Sequence, residues 1–173
     1  FKLHPYDEGT ERGFLRHVLV RVGKNTGEIL VTLVGGNSMF PKKHDFVKAL
    51  VKRFPDITTV TFSVNRTPEM LLLGENNEVL YGEGYITDIL CGKRFRISPH
   101  SFYQINHAQT EKLYNYAIKA AKLTKKDVLL DAYSGIGTIG IIASDYVKQV
   151  QGIEYNASAV RDAVKNCHEN GLT

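Results

Sequence analysis

Val128-Leu129-Leu130-Asp131-Ala132-Tyr133-Ser134-Gly135-Ile136-Gly137-Thr138 is the stretch that decides the fold of this chain. A short apolar run ends in an acid, and two glycines follow at the entry to a helical pattern reaching about Tyr146. Gln149 to Glu154 then reads as a second strand, so strand, turn, helix and strand make one βαβ unit. A last helix, from about Asn156 to Asn170, is expected to bury Val160, Ala163, Val164 and Cys167 and to end at Gly171, a natural C-cap. Two parallel strands do not make a finished domain, because a parallel sheet needs both faces covered and its edges managed. The chain is therefore expected to be cut short after Thr173 and, starting without Met, to lack sequence on its N-terminal side.

A glycine-rich turn at a helix entry lets a ligand approach the backbone closely. Gly135, Gly137 and Gly140 also fit the dinucleotide-binding spacing, which alone is a weak signal. In that fingerprint the glycines follow the strand directly, whereas here Asp131 and the aromatic Tyr133 intervene, which favours S-adenosylmethionine over a nicotinamide. Asp131 would help to hold the turn and the cofactor's amino-acid end, and Tyr133 would pack beside the sulfonium cation. Glu154, at the end of the second strand, is placed to accept hydrogen bonds from both ribose hydroxyls of an adenosine. The bland reading makes Asp131 a turn cap, Tyr133 a core residue and Glu154 a solvated acid; the order of all the parts together favours the functional one.

Upstream the pattern changes. Asn106 followed by Gln109 resembles a capping box, and Leu113, Tyr114, Ala117, Ile118 and Ala121 continue at helical spacing to about Leu123. Before it the chain is strand-rich and mostly antiparallel. Phe14 to Val22 and Glu28 to Val34 read as a hairpin around Gly23-Lys24-Asn25-Thr26-Gly27. Lys43 to Phe54 places Phe46, Val47, Leu50, Val51 and Phe54 on one helical face and stops at Pro55. Ile57 to Val64 is β-branched at most positions, Leu71 to Leu73 is expected to face Val79 to Tyr81 across a turn, and Tyr85 to Ile97 adds one or two strands.

Composition narrows the function classes. No apolar run approaches the roughly 18 residues that cross a bilayer, and Phe1 to Thr10 lacks a signal-peptide stretch, so no membrane role is expected. Cys91 and Cys167 fall in neither a disulfide framework nor a zinc spacing, which makes a reducing cytoplasm the expected location and leaves metal out. A net charge of +4 suits a polyanionic partner without identifying one. Lys42, Lys43, Lys48, Lys52 and Arg53, and Arg94 and Arg96 around Phe95, are candidate phosphate contacts or simply solvated charges. His100 and His107 are set aside as acid or base.

Ile97-Ser98-Pro99-His100-Ser101-Phe102-Tyr103-Gln104-Ile105-Asn106, with Asp131 to Thr138 downstream, resembles the RNA uracil-5-methyltransferase family, which modifies 23S ribosomal RNA and tRNA. The match is good over about the second half of the chain and looser before it. The resemblance implies an α/β chain in which a strand-rich, antiparallel α+β domain (1–94) precedes the first part of a class I, Rossmann-like methyltransferase domain (95–173), truncated. It implies S-adenosylmethionine as cofactor, with Gln104, Tyr133 and Glu154 as contacts beside Asp131, Gly135 and Gly137, and Phe102 as an aromatic neighbour of the substrate base. An amide at Gln104 offers both donor and acceptor; a surface Gln and a core Phe102 are the plain alternatives.

The implied reaction methylates carbon 5 of a uridine in RNA, with 23S ribosomal RNA preferred and tRNA second. A cysteine thiolate adds at carbon 6, the resulting enolate takes the methyl group, and a base removes the proton, on a base flipped out of any stack. That cysteine and the family's Asp-Pro-Pro motif have no match in this chain, so no catalytic residue is assigned and the fragment alone is expected to be inactive. Rival readings are a class I methyltransferase of another substrate class, which would not need the Ser98 to Asn106 loop, a non-enzymatic RNA-binding fragment, and last a nicotinamide oxidoreductase. Oligomeric state stays open.

Overall fold

The computed structural model describes residues 1–66, 72–75 and 77–173. They divide into two compact units, one of Phe1–Gly23 with Gly27–Ile86, the other of Lys24–Thr26 with Thr87–Thr173.

The first unit holds a four-stranded sheet in the order β1-β2-β3-β4: β1 (Leu15–Val22), β2 (Ile29–Gly35), β3 (Ile57–Val64) and β4 (Asn77–Tyr81). β1 and β2 form the expected antiparallel hairpin, with Val20 opposite Val31. β2 and β3 run parallel, Val31 opposite Val60, because helix α1 (Lys43–Arg53) separates them and carries the chain back to the starting end. β3 and β4 are antiparallel again. Val31, Leu33, Val60 and Phe62 meet Val47 of α1 and the rings of Phe14 and Phe40 in one core. Phe14 stacks on Phe62 with ring centres 5.7 Å apart.

Two expectations change here. Phe54 follows the end of α1 and is exposed rather than part of its buried face. Leu72 and Leu73 form no strand, and Leu71 lies outside the described residues; β4 pairs with β3 directly. Gly74 passes so close to β3 that a Cβ there would lie 1.8 Å from the Val64 carbonyl oxygen, which fixes the residue as glycine.

In the second unit β5 (Ile86–Leu90, its first residue at the unit boundary) and β6 (Lys93–Ile97) form a two-stranded sheet. Helix α2 (His107–Ala121) starts at Asn106, whose side chain accepts from the Gln109 N–H, as the sequence pattern predicts. The βαβ unit follows as β7 (Val128–Asp131), α3 (Thr138–Ala143) and β8 (Gln149–Gly152), then α4 (Ala157–Glu169). β7 and β8 are parallel, with Asp131 opposite Gly152. Leu90, Phe95, Tyr114, Ile141 and Ile142 make the core of this unit. α4 departs from its expected burial. Val160 and Val164 are exposed, whereas Asp162 and Asn166 are buried.

Among the described residues no helix is long and apolar enough to cross a membrane.

Candidate cofactor site

The turn after β7 is tied to the tip of β8 by backbone bonds: Ile153 N–H donates to the Asp131 carbonyl at 2.8 Å, and Ser134 N–H to the Ile153 carbonyl at 3.0 Å. These bonds bring the acid after β8 under the glycine turn. Glu154 Oε2 accepts from Gly135 N–H at 2.9 Å and Oε1 from Asn156 N–H at 2.7 Å. Each carboxylate oxygen has a second lone pair, so two further hydroxyl donors can still be accepted. The donors from Asn156 and Gly135 hold the Glu154 carboxyl below its ordinary range.

Gly135 and Gly137 both have positive φ, 54° and 83°, which is why a residue without a Cβ stands at each. Gly140, one turn into α3, serves packing instead: a Cβ there would lie 2.9 Å from Val150 Cγ1. Removing the side chain lets the helix lie on β8. Asp131 is half-buried at the end of β7, and burial raises its carboxyl above the ordinary value against the opposing pull of the Gly140 and Tyr133 backbone donors. The nearby Glu154 charge acts in the same direction as burial.

A cavity of about 680 Å³ opens beside this turn. Asp131, Ser134, Gly137 and Glu154 give it a polar rim, while Ile141, Val150, Val160, Ala163 and Val164 make its wall apolar. The valines of α4 that the sequence assigned to a core thus face this space. An apolar wall beside a carboxylate with unused acceptor capacity is the chemistry that a nucleoside would need. Two acids near the turn also suit a cationic ligand group.

The structure brings together Asp131, Gly135, Gly137 and Glu154. Tyr133 lies in the same turn with its ring 94% exposed. Gln104, half-buried, lines a separate cleft of about 420 Å³ at the start of α2, with Asn106, Gln109, Lys112 and Tyr116. Phe102 is 74% exposed. Between them Tyr103 points inward and donates to buried Asp88 at 3.2 Å, and burial with the Asp88 charge pushes its hydroxyl well above the usual tyrosine range. Asp88 also accepts from Asn25 N–H at 2.8 Å, and His107 Nε2 stands 3.7 Å from it. Sequence reading passed over Ser134 and this anchor; for Ser134 the available signal was its place between the acid and the first glycine, while for Asp88, remote in sequence, there was none.

Both thiols are pushed up from their ordinary values by burial, Cys91 further by Glu111. Neither has the electropositive surroundings of an activated nucleophile. Among the described residues no group of His, Cys, Asp and Glu is arranged to hold a metal.

The chain resembles known proteins over most of its length. Residues 39–173 match the family model described as tRNA (Uracil-5-)-methyltransferase. An uncharacterized RNA methyltransferase of Oceanobacillus iheyensis is 40% identical over 172 residues, 99% of this chain and 38% of its own length. One from Staphylococcus aureus is 40% identical over 165 residues, 95% of this chain and 36% of its own. Among solved structures, the Pyrococcus abyssi tRNA (uracil-54, C5)-methyltransferase in complex with S-adenosyl-L-homocysteine superposes with a TM-score of 0.78 at 27% identity, over 97% of this chain and 40% of that one. The Methanocaldococcus jannaschii Trm5 in complex with adenosine shares the fold, with a TM-score of 0.51 at 20% identity over 92% of this chain and 45% of its own. The chain thus spans somewhat under two-fifths of the length of these curated relatives. With the strand, glycine turn, helix, strand and acid in order and the family model matched from residue 39 to the end, the chain belongs to the tRNA (uracil-5-)-methyltransferase family.

Proposed function

We propose that this chain supplies the first part of the S-adenosylmethionine site in an enzyme that methylates carbon 5 of a uridine in RNA, 23S ribosomal RNA in the first place and tRNA in the second. The observation that carries the reading is the junction of Gly135 N–H with Glu154 Oε2 at 2.9 Å beside the cavity, in a chain of this family. The bound cofactor supplies an electrophilic methyl group on a sulfonium. Glu154 accepts the ribose hydroxyls with the lone pairs its backbone donors leave unused. Gly135 and Gly137 let the ligand reach the backbone, and Asp131 holds the turn and the amino-acid end. Tyr133 offers a ring to the sulfonium and Gln104 an amide, while Phe102 stands beside the target base.

No thiol of this chain is assigned as the nucleophile: burial pushes both Cys91 and Cys167 up, away from the thiolate form. That role, like RNA recognition as a whole, is given to the full-length protein in the cytoplasm. The test is incubation of the full-length protein with methyl-labelled S-adenosylmethionine and unmodified 23S ribosomal RNA or tRNA, with the modified positions mapped. Label at uracil carbon 5 is expected and names the substrate. Absence of label in both RNAs, with the protein folded and cofactor bound, would move the assignment to another substrate class.

A further inference from the structure

Buried Asp162 and Asn166 of α4 and the half-buried C-cap Asn170 fall at every fourth position, and in turn they meet every second residue of β6 or its extension. Asn170 Oδ1 accepts from Arg94 N–H at 3.0 Å while its Nδ2 donates to the Arg94 carbonyl at 2.6 Å. One turn earlier, Asn166 Oδ1 accepts from Arg96 N–H at 2.7 Å, and its Nδ2 donates to the Arg96 carbonyl at 3.5 Å. One turn earlier again, Asp162 Oδ2 accepts from the hydroxyls of Ser98 at 2.7 Å and Ser101 at 2.9 Å. The side-chain amides of α4 thus stand where a neighbouring strand would pair with β6. The helix runs antiparallel to it.

Two members of this ladder do more than cover a strand edge. Asn166 Nδ2 also donates to the Ile136 carbonyl at 2.9 Å, and Ile136 sits between the two glycines of the turn. Asp162 gathers the bend from Ser98 to Ser101, which Ser101 Oγ closes further by accepting from Ser98 N–H at 2.9 Å. Ser101 lies three residues before Gln104. Asn166 is fully buried, Asp162 and Ser101 nearly so. Among the described residues the Asn170 side chain hydrogen-bonds to Arg94 and to its own helix.

We propose that Asp162 and Asn166 are positioning residues of the cofactor site, holding the loop that bears Gln104 in register with the glycine turn. The inference rests on the cofactor assignment made above. Gln104 and the turn lie about thirty residues apart in sequence, and each is set by one face of one helix. A buried carboxylate that takes two hydroxyls on Oδ2 and faces Arg96 Nε at 3.9 Å from Oδ1, and a buried amide spending both donors and its acceptor, have a single low-energy arrangement each. Their loss would leave every direct cofactor contact in the chain but out of place.

The test is titration of the full-length protein with S-adenosyl-L-homocysteine by calorimetry, using Asp162→Asn, Asn166→Ala and Asn170→Ala, each checked for folding by circular dichroism. Asp162→Asn and Asn166→Ala are expected to raise Kd by about tenfold. Asn170→Ala, the third rung of the same ladder, should lower the melting temperature and leave Kd within about twofold. A purely structural ladder would make the three variants alike, and that result, or an unchanged Kd in Asp162→Asn, overturns the proposal. Should Asn166→Ala fail to fold, Asp162→Asn, which keeps size and burial, decides the matter, with faster amide hydrogen exchange over residues 98–104 as its second expected readout. A folded wild-type protein that binds no S-adenosyl-L-homocysteine would instead bring down the cofactor assignment itself.

Discussion

Opposite shifts of two neighbouring carboxyls give the site its pH signature. Asp131 is raised above 3.8 by burial, so the stability it contributes is present below that value and is lost as pH rises through its folded-state value. Glu154 is lowered beneath 4.5 by its backbone donors; its contribution is complete above 4.5 and is lost as pH falls through its folded-state value. Carbon-detected NMR titration should find the Asp131 carboxyl above and the Glu154 carboxyl below these ordinary values, so that Glu154 remains ionised in mildly acidic solution. Glu154→Gln replaces one acceptor oxygen with a donor facing a backbone N–H. It is expected to weaken S-adenosyl-L-homocysteine binding by about 10-fold or more, measured by calorimetry on the full-length protein. Gly140→Ala would push a methyl group against Val150, at a cost of about 1–3 kcal/mol in urea unfolding. Val150→Ala added to it should recover part of that loss, since the clash is with the Val150 side chain alone.

At the scale of elements, the caps of α2 and α4 and the apolar face of α1 were legible, apart from Phe54, and the face of α4 was not. Asn156 accepts from Ser158 N–H at 2.8 Å and Ala159 N–H at 3.2 Å, so Asn156→Ala is expected to destabilise the protein by about 1 kcal/mol in chemical unfolding, and Asn156→Asp by much less. The cap of α2 at Asn106 could likewise be read from residue types alone, because a cap is a local bond between neighbours. Runs or alternation of apolar and β-branched residues located β1 and β2, and β-branched content located β3, for the same reason. The inner face of α4 escaped, since a pattern of apolar residues treats Asp162 and Asn166 as solvated, and only the tertiary structure presents them with the open edge of β6. The parallel pairing of β2 with β3 was also hidden, as strand direction depends on what α1 does between them. In the site, the order of acid, glycines and second acid was readable along the chain. The Gly135 to Glu154 bond joins residues 19 apart and needed the structure.

For the whole molecule, family membership and span together bound what residues 1–173 can do. They cover 38% of the length of the Oceanobacillus relative and hold two thiols that burial pushes away from the thiolate form, so on the proposed reaction this chain alone is expected to transfer no label from S-adenosylmethionine to RNA, measured by scintillation counting. The proposed RNA substrate predicts that RNA affinity of the full-length protein falls as salt is raised, each phosphate contact adding about −0.7 to the logarithmic slope on single strands. A fluorescence-anisotropy titration at several ionic strengths checks this, and a flat response would remove electrostatic capture. The ladder between α4 and β6 also governs where the chain can change in length. Four residues of helix advance about 6.0 Å and two of strand about 6.6–6.8 Å, so the two rulers drift apart by about 0.6–0.8 Å at each rung. They behave as a vernier: Asn170 holds both backbone groups of Arg94 closely, Asn166 has one stretched bond to Arg96, and Asp162 takes hydroxyls instead of backbone. A single residue inserted between 94 and 98 would invert the strand's faces on one side of the insertion and take the rungs there out of register with the helix. Insertions and deletions in relatives should therefore spare this strand and the facing helix and gather in the turns outside them.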